Sequence, residues 1–228
     1  MIVLGIDTSG YVNAVGLTGD GRVLADASFP ARTDSLEQIV ANIDGVLKSA
    51  GLTLDSVQGI GVGLGPGSWT GIRVGVTVGK ILSFASGKPV CGVPTLEALA
   101  YMARGQSLPV YAVISVGVGD AVYAARYHVN NDEIVKDGDY FIGDIKGLAA
   151  LITEPCTVTG IGVTAYAQQI ACISGVAIQS VEANPGGSAV AILAARRLAR
   201  GGSDDALALA PLYLKESTAK VFMPGGHK

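Results

Sequence analysis

The sequence predicts an α/β protein built from two similar halves, each with a mixed five-stranded sheet and flanking helices. Its 228 residues are enough for a sizeable core. Apolar residues recur with the period of strands in some segments and with the period of helices in others. The order of elements in the first hundred residues begins again near residue 110. We therefore expect one half at residues 1–105 and the other at residues 106–228.

The first half opens with three predicted strands at residues 2–7, 12–17 and 23–29, with Asp20 and Gly21 as a hairpin turn. The apolar period then changes, and one helix is predicted from Asp34 to about residue 50, with Asp34 and Glu37 as its cap. The remaining elements are a buried strand at 57–64, a helix at 69–86, a strand at 89–93 and a helix at 95–104.

The second half repeats this order. Strands are predicted at 110–115, 121–128 and 133–141, then a helix at 144–152, a strand at 157–161, a helix at 164–173, a strand at 176–179 and a helix at 187–200. In this repeat Asp7 has Ser115 as its counterpart. A duplicated meander followed by alternating helices and strands matches the actin-like ATPase (ribonuclease H-like) architecture.

Composition restricts the class of function. Charged residues make up 15% of the chain, below the roughly 25% typical of soluble domains, so apolar surface for a partner is expected to remain. A net charge of −3 argues against a chain that grips nucleic acid alone. Cys91, Cys156 and Cys172 stand apart among apolar neighbours and are expected to be buried thiols. Without a signal peptide or spanning segment, a cytoplasmic protein is expected.

Two loops are candidates for nucleotide binding. Asp7, Thr8 and Ser9 follow the first strand, where an acid can hold a metal-bound water, but such residues also commonly bond their own turn. Gly65, Gly67 and Ser68 open the helix at 69–86, whose free amides attract anions, but the Gly-Lys-Ser/Thr of a P-loop is missing. Both readings stay open, and no catalytic residue or metal ligand is predicted.

The same helix carries glycine at every fourth position. Gly71, Gly75 and Gly79 cost roughly 2 to 3 kcal/mol of helix propensity, so close packing must offset them. That packing is against the chain's own sheet or against a helix of another subunit. The second alternative predicts an interface formed by this helix and the preceding one, made of Leu36, Ile39, Val40, Ile43, Leu47, Gly71, Ile72, Gly75, Val76, Val78 and Gly79.

Four segments together resemble the TsaB (YeaZ) family: IDTS at 6–9, GPGSWTGIRVG at 65–75, the pair Gly79-Lys80, and TLEAL at 95–99. The resemblance implies a partner subunit of the machinery that places threonylcarbamoyladenosine in tRNA. Such a subunit binds the catalytic paralogue TsaD and the ATPase TsaE, forms a homodimer when alone, and contacts tRNA only through the complex. ATP is then used by the complex, with no cofactor assigned to this chain.

Metal ligands distinguish a TsaB-like chain from its catalytic paralogue TsaD. TsaD-like chains carry two histidines four residues apart, where Thr95 and Leu99 stand here. His128, one of two histidines, is expected to be a strand residue with a local partner. TsaB-like chains usually carry a histidine where Thr33-Asp34-Ser35 stands here, and an Asp-Ala-Arg where Ser115-Val116-Gly117 stands. Both differences further favour a non-catalytic scaffold.

One rival interpretation and one charged segment remain. The rival is a metal- or ATP-dependent enzyme of the actin-like superfamily, either a kinase or a glycoprotease-like hydrolase. At the end of the last predicted helix, Arg196, Arg197 and Arg200 are expected to form a solvated face, with tRNA contact as the alternative.

Overall fold

The computed structural model describes residues 1–31, 35–115, 121–130, 133–160 and 163–214. Two five-stranded sheets form the centre of the molecule. The first has the strand order β3-β2-β1-β4-β5, with β1 at Ile2–Asp7, β2 at Val12–Gly19, β3 at Arg22–Pro30, β4 at Gly59–Gly63 and β5 at Val90–Val93. The second has the order β10-β9-β6-β7-β8, with β6 at Val110–Ser115, β7 at Ala121–Asn130, β8 at Glu133–Asp144, β9 at Cys156–Gly160 and β10 at Ile178–Glu182.

The two sheets share one topology, which confirms the predicted duplication and the actin-like fold. In each sheet the first three strands are antiparallel neighbours and the last two are parallel to the first. The strand predicted at 176–179 lies instead at Ile178–Glu182, because its parallel pairing with β9 sets the register at Ile178 opposite Cys156.

Six helices flank the sheets within the described ranges: α1 at Ser35–Ser49, α2 at Trp69–Ser86, α3 at Thr95–Met102, α4 at Ile145–Leu151, α5 at Val163–Ser174 and α6 at Gly187–Ala199. Helices α1 and α2 cover one face of the first sheet, and α6 covers the other. The cap predicted at Asp34 lies outside the described residues.

The two halves exchange a helix. Helix α6 packs on β1, β2 and β4 of the first sheet, and α3 packs on β6, β7 and β8 of the second. Glycine allows this close contact: a Cβ added at Gly5 would lie 2.1 Å from Gly187 O, and one at Gly16 would lie 2.2 Å from Ser188 N. The division at residue 105 therefore stays a prediction, since each half supplies part of the other's core.

The arginines of α6 do not form one solvated face. Arg197 donates to Glu97 Oε2 at 2.5 Å and to Gly92 O at 2.6 Å, so it joins α6 to α3 and β5. The Arg196 guanidinium lies 5.0 Å from the centre of the Tyr101 ring. The expected solvated face is therefore wrong for Arg197, because the exchange of α3 and α6 places Glu97 beside it.

Two smaller expectations have different outcomes. Cys91 and Cys156 are buried as predicted, but Cys172 is exposed because it lies on the outward side of α5. His128 lies on β7 with Nε2 3.2 Å from Asp137 Oδ2, which confirms a local partner. Within the described residues, no helix combines the length and the apolar character needed to cross a bilayer.

Candidate functional site

The end of β1 delivers a buried acid to a closed hydrogen-bond network. Asp7 Oδ1 accepts from Ser9 N at 2.9 Å and from Ser9 Oγ at 2.6 Å, and Oδ2 accepts from Thr95 Oγ1 at 3.2 Å. Asp7, Ser9 and Thr95 are all buried. Burial raises the pKa of Asp7, and the three hydrogen bonds oppose that rise. The carboxylate is thus fully enclosed by Ser9 of its own loop together with Thr95 of α3.

The second candidate loop seals the first. Ser68 N donates to Ser9 O at 2.7 Å, and a Cβ added at Gly67 would lie 2.2 Å from the same oxygen. At the other end of the loop, Gly65 N donates to Thr95 Oγ1 at 3.2 Å. Ser68 Oγ accepts from Gly71 N at 3.3 Å and caps α2.

The structure therefore brings the two predicted nucleotide loops together, through the bond from Ser68 N to Ser9 O and through Thr95, which bonds both Asp7 and Gly65. The residues concerned are Asp7, Thr8, Ser9, Gly65, Gly67 and Ser68. Of the two readings left open by the sequence, hydrogen bonding within the loops is the one observed. Their glycines admit the chain's own backbone where an open phosphate loop admits phosphate.

The glycine edge of α2 faces the interior of the molecule, so the prediction that a foreign helix packs on it is wrong. A Cβ added at Gly71 would lie 2.0 Å from Thr8 O, at Gly75 2.3 Å from Thr8 Oγ1, and at Gly79 2.2 Å from Val62 Cγ2. The three glycines let α2 lie directly on β4 and on the end of β1. The alternative of packing on the chain's own sheet is observed.

Most other residues of the predicted interface are also internal. Ile39, Ile43, Leu47 and Val78 pack with Leu4, Ile6, Val15 and Leu17, while Ile72 and Val76 pack with Ile60 and Val62. An apolar stripe on an amphipathic helix covers its own sheet first. Val40 is the exception, with 57% of its surface exposed. The side chain of Leu36 lies outside the described part.

Helix α2 nevertheless has an apolar side in solvent, which we call the α2 outer face: Trp69, Arg73, Thr77, Ile81 and Phe84. Trp69 is 45% exposed, Ile81 60% and Phe84 76%. Two shallow depressions of about 370 and 260 Å³ lie along this face and share Thr77 in their lining. Sequence reasoning followed the glycines and missed it, although the spacing of positions 69, 73, 77 and 81 was a detectable signal.

Residues 204–213, which we call the C-terminal strap, form one border of this face. Lys80 Nζ donates to Leu207 O and to Leu209 O, both at 3.0 Å. Leu212 N donates to Leu64 O at 2.8 Å. The ring of Tyr213 stacks on Trp69, with 4.1 Å between centroids. The strap thus runs along α2 and is attached at its N-terminal end, at Trp69, and again at Lys80, about two helical turns before its last residue.

Thr95 and Leu99, the positions of the TsaD-like histidines, have structural roles. Thr95 belongs to the Asp7 network, and Leu99 is buried against β6 and β7. Among the residues that the structure describes, no three His, Cys, Asp or Glu side chains come together.

Comparison with known proteins decides the family. A family model described as TsaD, tRNA N6-adenosine threonylcarbamoyltransferase, matches residues 30–221. The tRNA threonylcarbamoyladenosine biosynthesis protein TsaB of Bacillus subtilis is 25% identical over 226 residues, which cover 96% of each chain. The chain belongs to the TsaB (YeaZ) family.

Two further relatives agree. The Escherichia coli protein of the same description is 31% identical over 136 residues, or 59% of this chain, and the match spans only 58% of that relative's length. YeaZ from Pseudomonas aeruginosa is structurally similar with a TM-score of 0.78 and 26% identity, over 93% of this chain and 99% of that one.

Proposed function

We propose that this chain is the non-catalytic partner subunit of a cytoplasmic complex that makes threonylcarbamoyladenosine in tRNA. It binds a TsaD-like catalytic subunit together with a TsaE-like ATPase, and it forms a homodimer when alone. ATP is used by the complex, and tRNA is contacted only through it. The proposal is supported by the shared family and by the description of the relatives as tRNA threonylcarbamoyladenosine biosynthesis proteins.

The docking role is supported mainly by the exposed apolar residues of the α2 outer face. Trp69, Ile81 and Phe84 are large apolar side chains exposed along one side of one helix. Aromatic and aliphatic residues grouped in this way mark protein–protein contacts more often than isolated apolar residues do. Both depressions on this face are lined mainly by apolar surface, one of them by α2 together with Ala206 and Leu207 of the strap and the other by α2 alone. A helix of a partner subunit fits this shape.

The closed Asp7 network supports the non-catalytic part of the proposal. An actin-like enzyme needs an acid that can reach a metal-bound water beside the phosphates. Here both oxygens of Asp7 accept hydrogen bonds from Ser9 and Thr95, and the side chain is completely buried. No specific observation favours the kinase or hydrolase alternative.

The test is Ile81→Asp, which puts a charge on an exposed apolar position of the α2 outer face without touching the core. Loss of a central apolar contact with burial of a carboxylate costs about 2 kcal/mol or more, or roughly 30-fold in affinity. We expect this loss in pull-down with the same organism's TsaD-like subunit and in sedimentation of the chain alone. Ile173→Asp, on the exposed side of α5, is the matched control. Full binding by Ile81→Asp, with an unchanged melting temperature, refutes the docking face.

A further inference from the structure

The C-terminal strap leads the following residues to one end of the α2 outer face. The strap passes Lys80 first and reaches Trp69 afterwards, so it runs antiparallel to α2. The Tyr213 ring at its end stacks on the Trp69 ring, with 4.1 Å between centroids. The chain after Leu214 therefore continues from a point beside Trp69, at the N-terminal end of the exposed face.

Residues 215–228, which we call the tail, contain one strongly apolar run. Their sequence is KESTAKVFMPGGHK, and they lie outside the described residues. Val221, Phe222 and Met223 are consecutive large apolar residues, whereas the other tail positions are polar, charged, alanine, proline or glycine. Pro224 and two glycines follow the run and are typical of a turn. Such a run gains free energy by covering apolar surface.

The length of the tail matches the distance to the nearer depression. Phe222 is eight residues beyond Leu214, and eight residues reach at most about 26 Å. Thr77 is eight helical positions beyond Trp69, which is about 12 Å along α2. The tail is therefore long enough to turn back and to cover the depression of about 260 Å³ that Trp69, Arg73 and Thr77 line.

Charges at the start of the tail fit the same path. Arg73 is exposed one turn after Trp69, and its guanidinium carbon lies 6.0 Å from the centre of the Trp69 ring. Helix α2 has no acidic residue. Glu216 is the one acidic residue of the tail and comes two residues after Leu214, within reach of Arg73. An exposed ion pair adds little affinity, but it favours this direction of approach.

We propose that the tail folds back over the α2 outer face of its own chain and covers it until a partner subunit displaces it. The inference rests on the docking face of the proposed function and adds its regulation. A tethered segment acts at an effective concentration on the order of millimolar, so a weak contact is sufficient. If the tail covers the face in about nine chains of ten, the apparent affinity for the partner is about tenfold below the intrinsic affinity.

Trp69 reports directly on the covering of the face, because it is the only tryptophan of the chain. Acrylamide quenching of its fluorescence is compared between the full chain, a chain that stops at Leu214, and Phe222→Asp. His227→Asp is the matched control, since it adds the same charge beyond the apolar run. We expect stronger quenching in the shortened chain and in Phe222→Asp, and parental quenching in His227→Asp. A peptide of residues 215–228, added to the shortened chain at about 1 mM, should restore the protection.

Dilution distinguishes the tail from a second copy of the chain. Protection by the tail of the same chain is independent of protein concentration, whereas protection by another copy decreases on dilution. Equal quenching of the full chain, the shortened chain and Phe222→Asp overturns the inference. Protection of the full chain that disappears on dilution overturns it as well.

Binding to the TsaD-like subunit separates this inference from the proposed function. Removing the tail is expected to raise the affinity about tenfold, whereas Ile81→Asp lowers it. If the shortened chain binds no more tightly and Ile81→Asp still loses binding, the tail inference fails and the docking face stands. If Ile81→Asp binds like the parent, the docking face fails, and the quenching of Trp69 decides whether the tail lies on α2.

Discussion

A pair of glycine substitutions tests where α2 packs. Gly75 and Gly45 are both interior residues of helices, and on propensity alone each change to alanine stabilises by up to about 1 kcal/mol. Their surroundings differ. A Cβ added at Gly75 would lie 2.3 Å from Thr8 Oγ1, whereas one added at Gly45 meets nothing within 4 Å. We therefore expect the two substitutions to change stability in opposite directions.

The magnitude at Gly75 follows from the contacts of Thr8. Its hydroxyl donates to Gly71 O at 2.6 Å, and both partners lie against the sheet. Displacing Thr8 costs about 1 to 3 kcal/mol for overpacking and about 1 kcal/mol for the hydrogen bond. After the helix gain is subtracted, Gly75→Ala is expected to lower the free energy of unfolding by about 1 to 3 kcal/mol. Gly45→Ala is expected to raise it by about 0.5 to 1 kcal/mol.

Urea denaturation followed by circular dichroism measures both changes, and a double-mutant cycle identifies the cause. Thr8→Ala removes the colliding oxygen and leaves Thr8 Cβ as the nearest atom, at 3.4 Å. Gly75→Ala should therefore cost much less in the Thr8→Ala background. If Gly75→Ala is as stabilising as Gly45→Ala, the glycine edge is not sealed by β1, and the case for a foreign helix on that edge returns.

Two further predictions concern buried charge. Burial raises the pKa of Asp7 above its unfolded value of 3.8, so its contribution to stability is greatest below that value and is lost as the pH rises through the raised pKa. The free energy of unfolding of Asp7→Asn, measured by urea titration, should therefore increase relative to that of the parent as the pH rises from 4 to 7. A difference that decreases over this range contradicts the prediction. Glu97→Gln removes the negative charge that faces the half-buried Arg197 guanidinium and should cost about 2 kcal/mol, more than Glu154→Gln, whose carboxylate is more exposed. Equal costs would show that the link between α3 and α6 adds nothing.

Periodicity was sufficient to predict the elements and their duplication, because strands and helices bury residues at different local spacings. It could not predict that α3 and α6 exchange sheets. That exchange depends on close contact of Gly5 and Gly16 with Gly187, which is distant in sequence. The sequence around each glycine does not indicate which helix packs on it. Arg197 was misplaced for the same reason, since Glu97 lies one hundred residues away in sequence.

The interface predicted from the glycines and the docking face proposed from the structure lie on opposite sides of α2. Positions 71, 75 and 79 differ from positions 69, 73 and 77 by two residues, or about 200° around the helix. Glycines permit close approach of another backbone, but they do not indicate whether it belongs to the same chain or to another subunit. The charge of Arg73 was a better indicator of which side of α2 faces solvent, because an arginine seldom faces a close-packed sheet. Ile81 and Phe84 lie on that same exposed side.

The contacts that seal the glycine edge of α2 also hold the helix that carries the α2 outer face. At its N-terminal end, Thr8 and Ser9 hold the helix through Gly71 O and Ser68 N, and about two turns before its last residue the strap holds Lys80. A helix held at these two places needs little further ordering to bind a partner on its outer face, which would lower the entropic cost of the proposed association. In an open nucleotide cleft the same loops would have to move with the ligand. If α2 docks a partner as proposed, the hydrogen bonds that close these loops also hold the docking helix in place.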